Sequence, residues 1–483
     1  MKIFFSILFA GITSLFFQIE SCNSSGSKKN IVYQTPIAAP LTEVKPHFES
    51  FPKGKEIASI VCQSDNLQSY AMYLPSNYTS EKKWPVIYFF DPQADGILPI
   101  KMYKRLAEKY GYILIGSNNS QNGTTWDKIT ASVQTLMDDT HKRISIDDKR
   151  VYLAGFSGGA RVAGLIAEMT PGITGIIGCG AGINGIDPET IYPFSYIGLV
   201  GNKDFNYNEM EDMIAKMGSN IQHQLIVYDG KHQWAPVEIM NEAFEWITLN
   251  AMKQKLIPIN EKLINLVVNE NETSIKKYEK QNDEYDMYLN YQKMSNFLSG
   301  LYDVKVEDNM IGKLGKSDVV QKTIAANAAV EQKEQDIQQE YIDDLQSKDV
   351  NWWKDETMKL NQITAKSNDK NTYLMNQRLL GFMSLATYMT INDAMQKGLW
   401  DVADHYNQIY AAIDPKNPEH AYLSACFAAR KKQDAIVISE LEEAQKLGFA
   451  DFKRAENDSN FLAFKNTSAF SKIISQMKKN VKE

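Results

Sequence analysis

Only four cysteines, Cys22, Cys62, Cys179 and Cys426, occur in 483 residues, too few for a disulfide framework to hold the chain together. No C-x-x-C pair and no H-E-x-x-H run is present, so no metal is assigned. A Walker-type loop and a dinucleotide fingerprint are also missing, and no cofactor is expected. Positive charge is not in excess: 52 Lys and Arg stand against 59 Asp and Glu, a net charge of −7, which leaves no electrostatic footprint for nucleic acid. Long apolar runs are scarce. Ile3 to Phe17 is almost unbroken but falls short of the ~20 residues a membrane span requires; behind Met1-Lys2 and before a polar stretch, it reads as an export signal.

What the chain does have is a forced turn. Residues 150–161 read Arg-Val-Tyr-Leu-Ala-Gly-Phe-Ser-Gly-Gly-Ala-Arg, a short apolar strand running into a helix of small and aliphatic residues. Ser157 sits at the tip, flanked by Gly155, Gly158 and Gly159. A serine held at positive φ on such an elbow needs neighbours without β-carbons, or the backbone would collide with the strand or the helix start. Ser157 is therefore the candidate nucleophile. A glycine-rich strand-to-helix turn of a nucleotide-binding sheet is the other reading of the run taken alone.

A serine hydroxyl is a poor nucleophile until an imidazole takes its proton, and the imidazole needs a carboxylate to fix its tautomer and stabilise its charged form. On this type of elbow the acid and then the histidine follow later in the chain, each after a strand. Pro193 to Val200 reads as a strand leading to Gly201-Asn202-Lys203-Asp204, and Ile221 to Tyr228 as another leading to Asp229-Gly230-Lys231-His232. Asp204 is the expected orienting acid and His232 the expected base, with Asp187 and Asp229 as alternatives for the acid. Of the other histidines, His47 precedes the fold, His141 and His223 lie within elements, and His405 and His420 belong to the C-terminal half.

Acyl transfer also needs two N–H groups aimed at the developing oxyanion. Gly158 supplies one. The strand Pro85 to Phe90 runs into Asp91-Pro92-Gln93-Ala94-Asp95-Gly96, where Pro92 has no N–H to give, so the second donor is expected from Gln93, with Ala94 as the alternative.

The segment from about Ser69 to Trp246 resembles the α/β-hydrolase superfamily, in its esterase, dienelactone-hydrolase-like and polyhydroxyalkanoate-depolymerase-like branches. The resemblance is carried by Tyr73-Leu-Pro-Ser-Asn-Tyr78 with Trp84-Pro85, by Ile146 to Tyr152 and by Gly155 to Arg161. It implies a doubly wound, mostly parallel sheet of about eight strands and hydrolysis of an ester or, less often, a peptide. It departs from the pattern at the loop after the third strand, where many such enzymes carry His-Gly and further glycines. The expected substrate is a small ester or acylated compound. A hydrolase fold that has lost activity, with that altered loop as its mark, is the competing reading.

Independently of the resemblance, strand-like runs alternate with helix-length stretches, as a parallel α/β layer requires. Strands are predicted at Ile57–Cys62, Ser69–Leu74, Val86–Phe90, Tyr112–Gly116, Val151–Ala154, Ile173–Cys179, Pro193–Val200 and Ile221–Tyr228. In Thr124 to Arg143, the residues Trp126, Ile129, Val133, Leu136 and Met137 recur at helical spacing and are expected to face the core. Asn118, Asn119, Asn122 and Trp126 are placed at the pocket mouth, with turn formation as the plainer role for the asparagines. Arg161 is read as a structural ion pair.

Ile19, Ser21 and Cys22 resemble the lipobox of bacterial lipoproteins, with Glu20 unusual in it, which implies lipid on Cys22 and a place in the cell envelope, periplasm-facing or on the outer surface. The polar stretch behind Cys22 and the prolines that follow suit a tether. From about Ile257 the chain reads as all helix. Ser317 to Ser347 is charge-rich, with an apolar stripe (Val319, Val320, Ile324, Ala328, Val330) in its first half only. Gly398, Trp400, Ala403 and Pro415 match the spacing of a tetratricopeptide repeat, Asn407 and Tyr410 do not, and a poorer unit follows at Ala435, Leu441, Ala444 and Gly448. Such helices either bind a protein partner or simply pack on the hydrolase. The expected organisation is a signal peptide at 1–21, a lipidated tether at 22–53, an α/β-hydrolase domain at 54–253, a helical accessory region at 254–378 and repeat-like helices at 379–483.

Overall fold

Strand β3 (Trp84–Phe90) is buried along its whole length, and its side chains alternate between two faces: Ile87 and Phe89 join one hydrophobic cluster, Val86, Tyr88 and Phe90 another. A strand apolar on both faces belongs inside a sheet covered by helices on both sides. The computed structural model, which describes residues 48–366 and 369–480, places it there. The sheet has eight strands in the order β1-β2-β4-β3-β5-β6-β7-β8. The others are β1 (Glu56–Val61), β2 (Ser69–Tyr73), β4 (Ile113–Ser117), β5 (Ile146–Phe156), β6 (Ile173–Cys179), β7 (Ser195–Gly201) and β8 (His223–Tyr228). β2 is antiparallel to β1 and β4, and all other neighbours are parallel. The sheet is consistent with the α/β-hydrolase layer that the resemblance implied. The predicted strands recur within a few residues, except that β5 begins earlier, at Ile146.

One face is covered by α1 (Ile97–Tyr110), α5 (Val237–Lys253), α6 (Glu261–Gln281) and α7 (Glu284–Leu298), the other by α2 (Trp126–Arg143), α3 (Gly158–Met169) and α4 (Tyr207–Met217). The predicted face of α2 is core at Ile129, Val133, Leu136 and Met137, but Trp126, on the first turn, is 49% exposed. The chain divides into two compact units between Ala328 and Ala329. The helices of 254–328, including α8 (Lys305–Leu314), thus belong with the sheet, because α6 and α7 put Leu263, Ile264, Val267, Phe297 and Leu298 into the same core as Ile226 and Phe244. Full burial of each such side chain contributes about 1.5–3 kcal/mol.

The division falls inside α9 (Asp318–Ser347). Its expected first-half stripe is not what the helix buries: Val320 is buried but Val319 and Ile324 are exposed, and the second half buries Glu334, Tyr341 and Leu345. The last three recur at spacings of seven and four, one helix face. The second unit continues through α10 (Val350–Lys366), α11 (Lys370–Gln396), α12 (Trp400–Ile413), α13 (Pro418–Arg430), α14 (Asp434–Lys446), α15 (Phe452–Asn457) and α16 (Ser468–Asn480). Of the repeat-like positions, Ala403, Leu441 and Ala444 are fully buried, and Gly398 and Gly448 take positive φ (+72° and +103°) just past the ends of α11 and α14. Cys62, Cys179 and Cys426 are free and buried. The expected signal peptide, Cys22, most of the tether and His47 lie outside the described residues, among which no helix is long and apolar enough to cross a membrane.

Inside the helical unit, Glu334 and Arg378 form a pair with side-chain exposures of 0% and 6%; Arg378 Nε and Nη2 reach Glu334 Oε2 at 2.9 and 2.6 Å. Removing one partner leaves an uncompensated buried charge. Glu334→Ala is expected to cost about 3–5 kcal/mol in denaturant unfolding followed by circular dichroism, and the apolar pair Glu334→Leu with Arg378→Met to recover most of it.

Candidate active site

The chain order reverses after β4, so the next strand, β5, returns to the far side of β3, and the crevice at the carboxyl ends of β3 and β5 is where such sheets bind ligands. Ser157 stands there, immediately after β5, with φ 52° and ψ −121°. This strained backbone is held from both sides. Ser157 N–H donates to Cys179 O at 2.9 Å, and the N–H of Ala160 returns to Ser157 O at 3.0 Å. A β-carbon on Gly155 would stand 2.1 Å from Gly159 O, and one on Gly159 would stand 1.9 Å from Phe90 O, so both positions require glycine.

Asp204 lies three residues past β7 and His232 four residues past β8. The strand ends that carry Ser157, Asp204 and His232 are not successive, because β6 runs between β5 and β7. Gly180, just past β6, takes φ +60°, and a β-carbon there would meet Asp204 Oδ2 at 2.9 Å and His232 Nδ1 at 3.2 Å. The missing side chain leaves room at the end of β6, between β5 and β7, for the Asp204 carboxylate and the His232 imidazole to reach towards Ser157.

They do meet. His232 Nδ1 lies 2.9 and 3.0 Å from the two carboxylate oxygens of Asp204, and Nε2 lies 2.9 Å from Ser157 Oγ. A carboxylate only accepts, so Nδ1 carries the proton and Nε2 is left to accept from the Ser157 hydroxyl. Asp204 is fully buried, and its Oδ1 also accepts the Asn206 N–H at 2.9 Å. Asn206 Nδ2 in turn donates to Gly180 O at 2.7 Å, fastening the acid's loop to the end of β6. The rings of Phe205 and Phe156 pack on the imidazole at centroid distances of 4.1 and 4.7 Å.

The alternative acids are elsewhere. Asp187 closes its own exposed turn, accepting the Glu189 N–H and the Thr190 hydroxyl, and those bonds hold its carboxyl below the ordinary range. Asp229 is exposed and paired with Lys203. The remaining described histidines, His141, His223, His405 and His420, have local partners and none reaches Ser157. Arg161 pairs with Glu209 at 2.6 Å and donates to Asn184, the structural role expected of it. Among the described residues no group of three or more metal-ligating side chains is gathered.

Gly158 opens α3, where the first N–H groups of a helix have no intrahelical acceptor. Gln93 is differently placed: its N–H donates to Asp91 Oδ1 at 2.9 Å, and the Ala94 N–H donates to Asp91 O at 2.9 Å. Both expected second donors are thus engaged within their own loop. Asp91, which sequence reasoning read only as part of that loop, organises it. Its carboxylate is 3% exposed, also accepts Trp234 Nε1 at 2.8 Å, and is pushed above its ordinary pKa by burial. Of the asparagines at the mouth, Asn118 and Asn119 bond to Ser69 and its neighbours. Asn122 does not; its backbone N–H donates to Pro92 O at 2.8 Å, and its carboxamide lies against Gly158.

No family model matches the chain, and no curated protein matches it. Solved structures do. A mutant feruloyl esterase module from Clostridium thermocellum complexed with sinapinate is 13% identical over 40% of this chain and 87% of its own, with a TM-score of 0.34. A hyperthermophilic esterase from Pyrobaculum calidifontis is 12% identical over 42% of this chain and 85% of its own, with a TM-score of 0.33. Est1E from Butyrivibrio proteoclasticus is 16% identical over 40% and 98%, also with a TM-score of 0.33.

If Asp204 fixes the imidazole, Asp204→Asn is expected to leave circular dichroism unchanged while lowering turnover of an activated ester about 10⁴-fold, since the amide favours the wrong tautomer. Asp187→Asn is expected to leave turnover unaltered. The reverse pair of results would move the acid's role to Asp187.

Proposed function

We propose that this chain is a serine hydrolase acting on carboxylic esters through an acyl-enzyme on Ser157, with His232 as base and Asp204 as orienting acid. The observation that carries the reading is the continuous hydrogen-bonded path from the Ser157 hydroxyl through the imidazole to a fully buried carboxylate. Along it, His232 Nε2 takes the hydroxyl proton as Oγ attacks the acyl carbon. Asp204 stabilises the imidazolium that forms, and the same proton then goes to the leaving alcohol. Water repeats the sequence to release the acid. A peptide bond could be opened by the same steps, with an amine leaving.

The competing reading, a hydrolase fold without activity, is favoured by one observation, the engagement of the Gln93 and Ala94 N–H groups within their own loop. Export and attachment to a membrane through lipid on Cys22 are part of the proposal and rest on residues 1–22 of the sequence, as does binding of a protein partner on the pattern of the C-terminal helices.

A fluorophosphonate probe separates the readings. Covalent labelling is expected in the wild type and in Cys179→Ala, and lost in Ser157→Ala. Burial pushes the Cys179 thiol up to about 12, which keeps it a thiol and not a competing nucleophile near neutrality. Absence of label, or label on another residue, would favour the inactive fold.

A further inference from the structure

We infer that the side-chain amide of Asn122, and not a backbone N–H of the loop after β3, is the second donor to the oxyanion; the inference rests on the serine-hydrolase reading above. Three observations converge on it. First, the backbone groups that ordinarily would serve are taken up: Pro92 has none, and the N–H groups of Gln93 and Ala94 close the loop onto Asp91. Because Asp91 is buried and its other oxygen is held by Trp234, freeing Gln93 would leave Asp91 Oδ1 with only the longer Asp95 N–H bond of 3.4 Å.

Second, the elbow contains one glycine more than its backbone requires. Gly155 and Gly159 are excluded from bearing a side chain by main-chain oxygens, but Gly158 does not have positive φ, and the three atoms nearest to where its β-carbon would stand all belong to Asn122. They are Oδ1 at 2.0 Å, Cγ at 2.7 Å and Nδ2 at 2.8 Å. Glycine at 158 therefore makes room for a carboxamide beside the N–H that is the first oxyanion donor. A half-turn of the amide exchanges its oxygen and nitrogen, and an arriving oxyanion selects the orientation that presents N–H.

Third, Asn122 is positioned but unspent. Its backbone N–H is anchored on Pro92 O, which ties it to the loop it replaces, while its carboxamide has no hydrogen-bond partner among the described residues and stands exposed at the mouth of the site. In the reaction, the Ser157 Oγ–carbon bond forms as the hydroxyl proton passes to His232 and the carbonyl π pair moves onto oxygen. Gly158 N–H and Asn122 Nδ2–H then hold that charge until the pair returns, the carbon–oxygen bond to the alcohol breaks, and His232 delivers the proton to the alcohol.

The test compares wild type, Asn122→Ala, Asn122→Asp and Ser157→Ala by steady-state hydrolysis of p-nitrophenyl acetate and by the rate of fluorophosphonate labelling. Loss of one side-chain oxyanion donor is expected to lower kcat about 10²–10³-fold with little change in KM. Asn122→Asp keeps the size of the side chain but cannot donate when ionised, so it should fall at least as far; a merely structural role would be preserved by it. Labelling should slow in both variants. If both keep kcat and labelling rate within about threefold of wild type, a shift far below the cost of a lost donor, the assignment to Asn122 is overturned while the hydrolase reading stands. If the wild type neither turns over ester nor takes the label on Ser157, the hydrolase reading falls and this inference with it.

Discussion

The site depends on backbone atoms approaching one another at van der Waals distance where β5 turns into α3. Gly155 presses on the carbonyl of Gly159, and Gly159 on the carbonyl of Phe90 at the end of β3. This clamp sets the first turn of α3 directly on two strand ends and holds Ser157 at φ 52°, a conformation that a serine does not adopt unaided. The strain at one residue is sustained by the covered sheet around it. β3 and β5 are paired in register up to Phe90 and Gly155 and buried on both faces, so the turn cannot relax without breaking a ladder in the core.

From that fixed point the rest of the constellation follows through loops short enough to leave little freedom. Asp204 and His232 lie within four residues of the adjacent strands β7 and β8, and Gly180, at the end of the β6 strand that separates them from Ser157, puts no β-carbon against the carboxylate and the imidazole. Asn206 ties the acid's loop to Gly180, and Phe156 and Phe205 flank the imidazole with apolar surface. Orientation of the His232 imidazole is thus achieved twice, by a charge-assisted hydrogen bond at one nitrogen and by ring packing on its sides. Asp91 plays the corresponding part on the opposite bank, spending a buried carboxylate on closing a loop.

Elements with a local signature were legible in the sequence. The eight strands and the elbow each follow from spacing and residue type within one stretch of chain, and Asp204 and His232 could be singled out only by the strands they follow. What escaped was information that exists only between stretches. Nothing near Gly180 says that its neighbours in space are Asp204 and His232, and nothing near Gln93 says that Asp91 claims its N–H. The glycine at 158 was visible, but its reason lies in a loop some thirty-five positions earlier. Trp126 keeps the helical beat that marks the core face and also stands among the residues placed at the pocket mouth; on the first turn of α2 it is half-exposed. The buried face of α9 escapes a hydrophobicity pattern at Glu334, a charged residue that occupies a buried position because Arg378 satisfies it there.

The burial of α6 and α7 in the core they share with α5 gives the exposed connection between α5 and α6 an unusual property. Residues 254–260 carry the chain from one buried helix to the next while contributing little to the core themselves. A protease that cut there would sever the polypeptide without releasing either piece, since Leu263, Ile264 and Val267 would still be seated in the hydrophobic cluster they share with Phe244 and Ile226. Covalent continuity and structural continuity part company at that point, and the sheet would keep its cover after the link was gone.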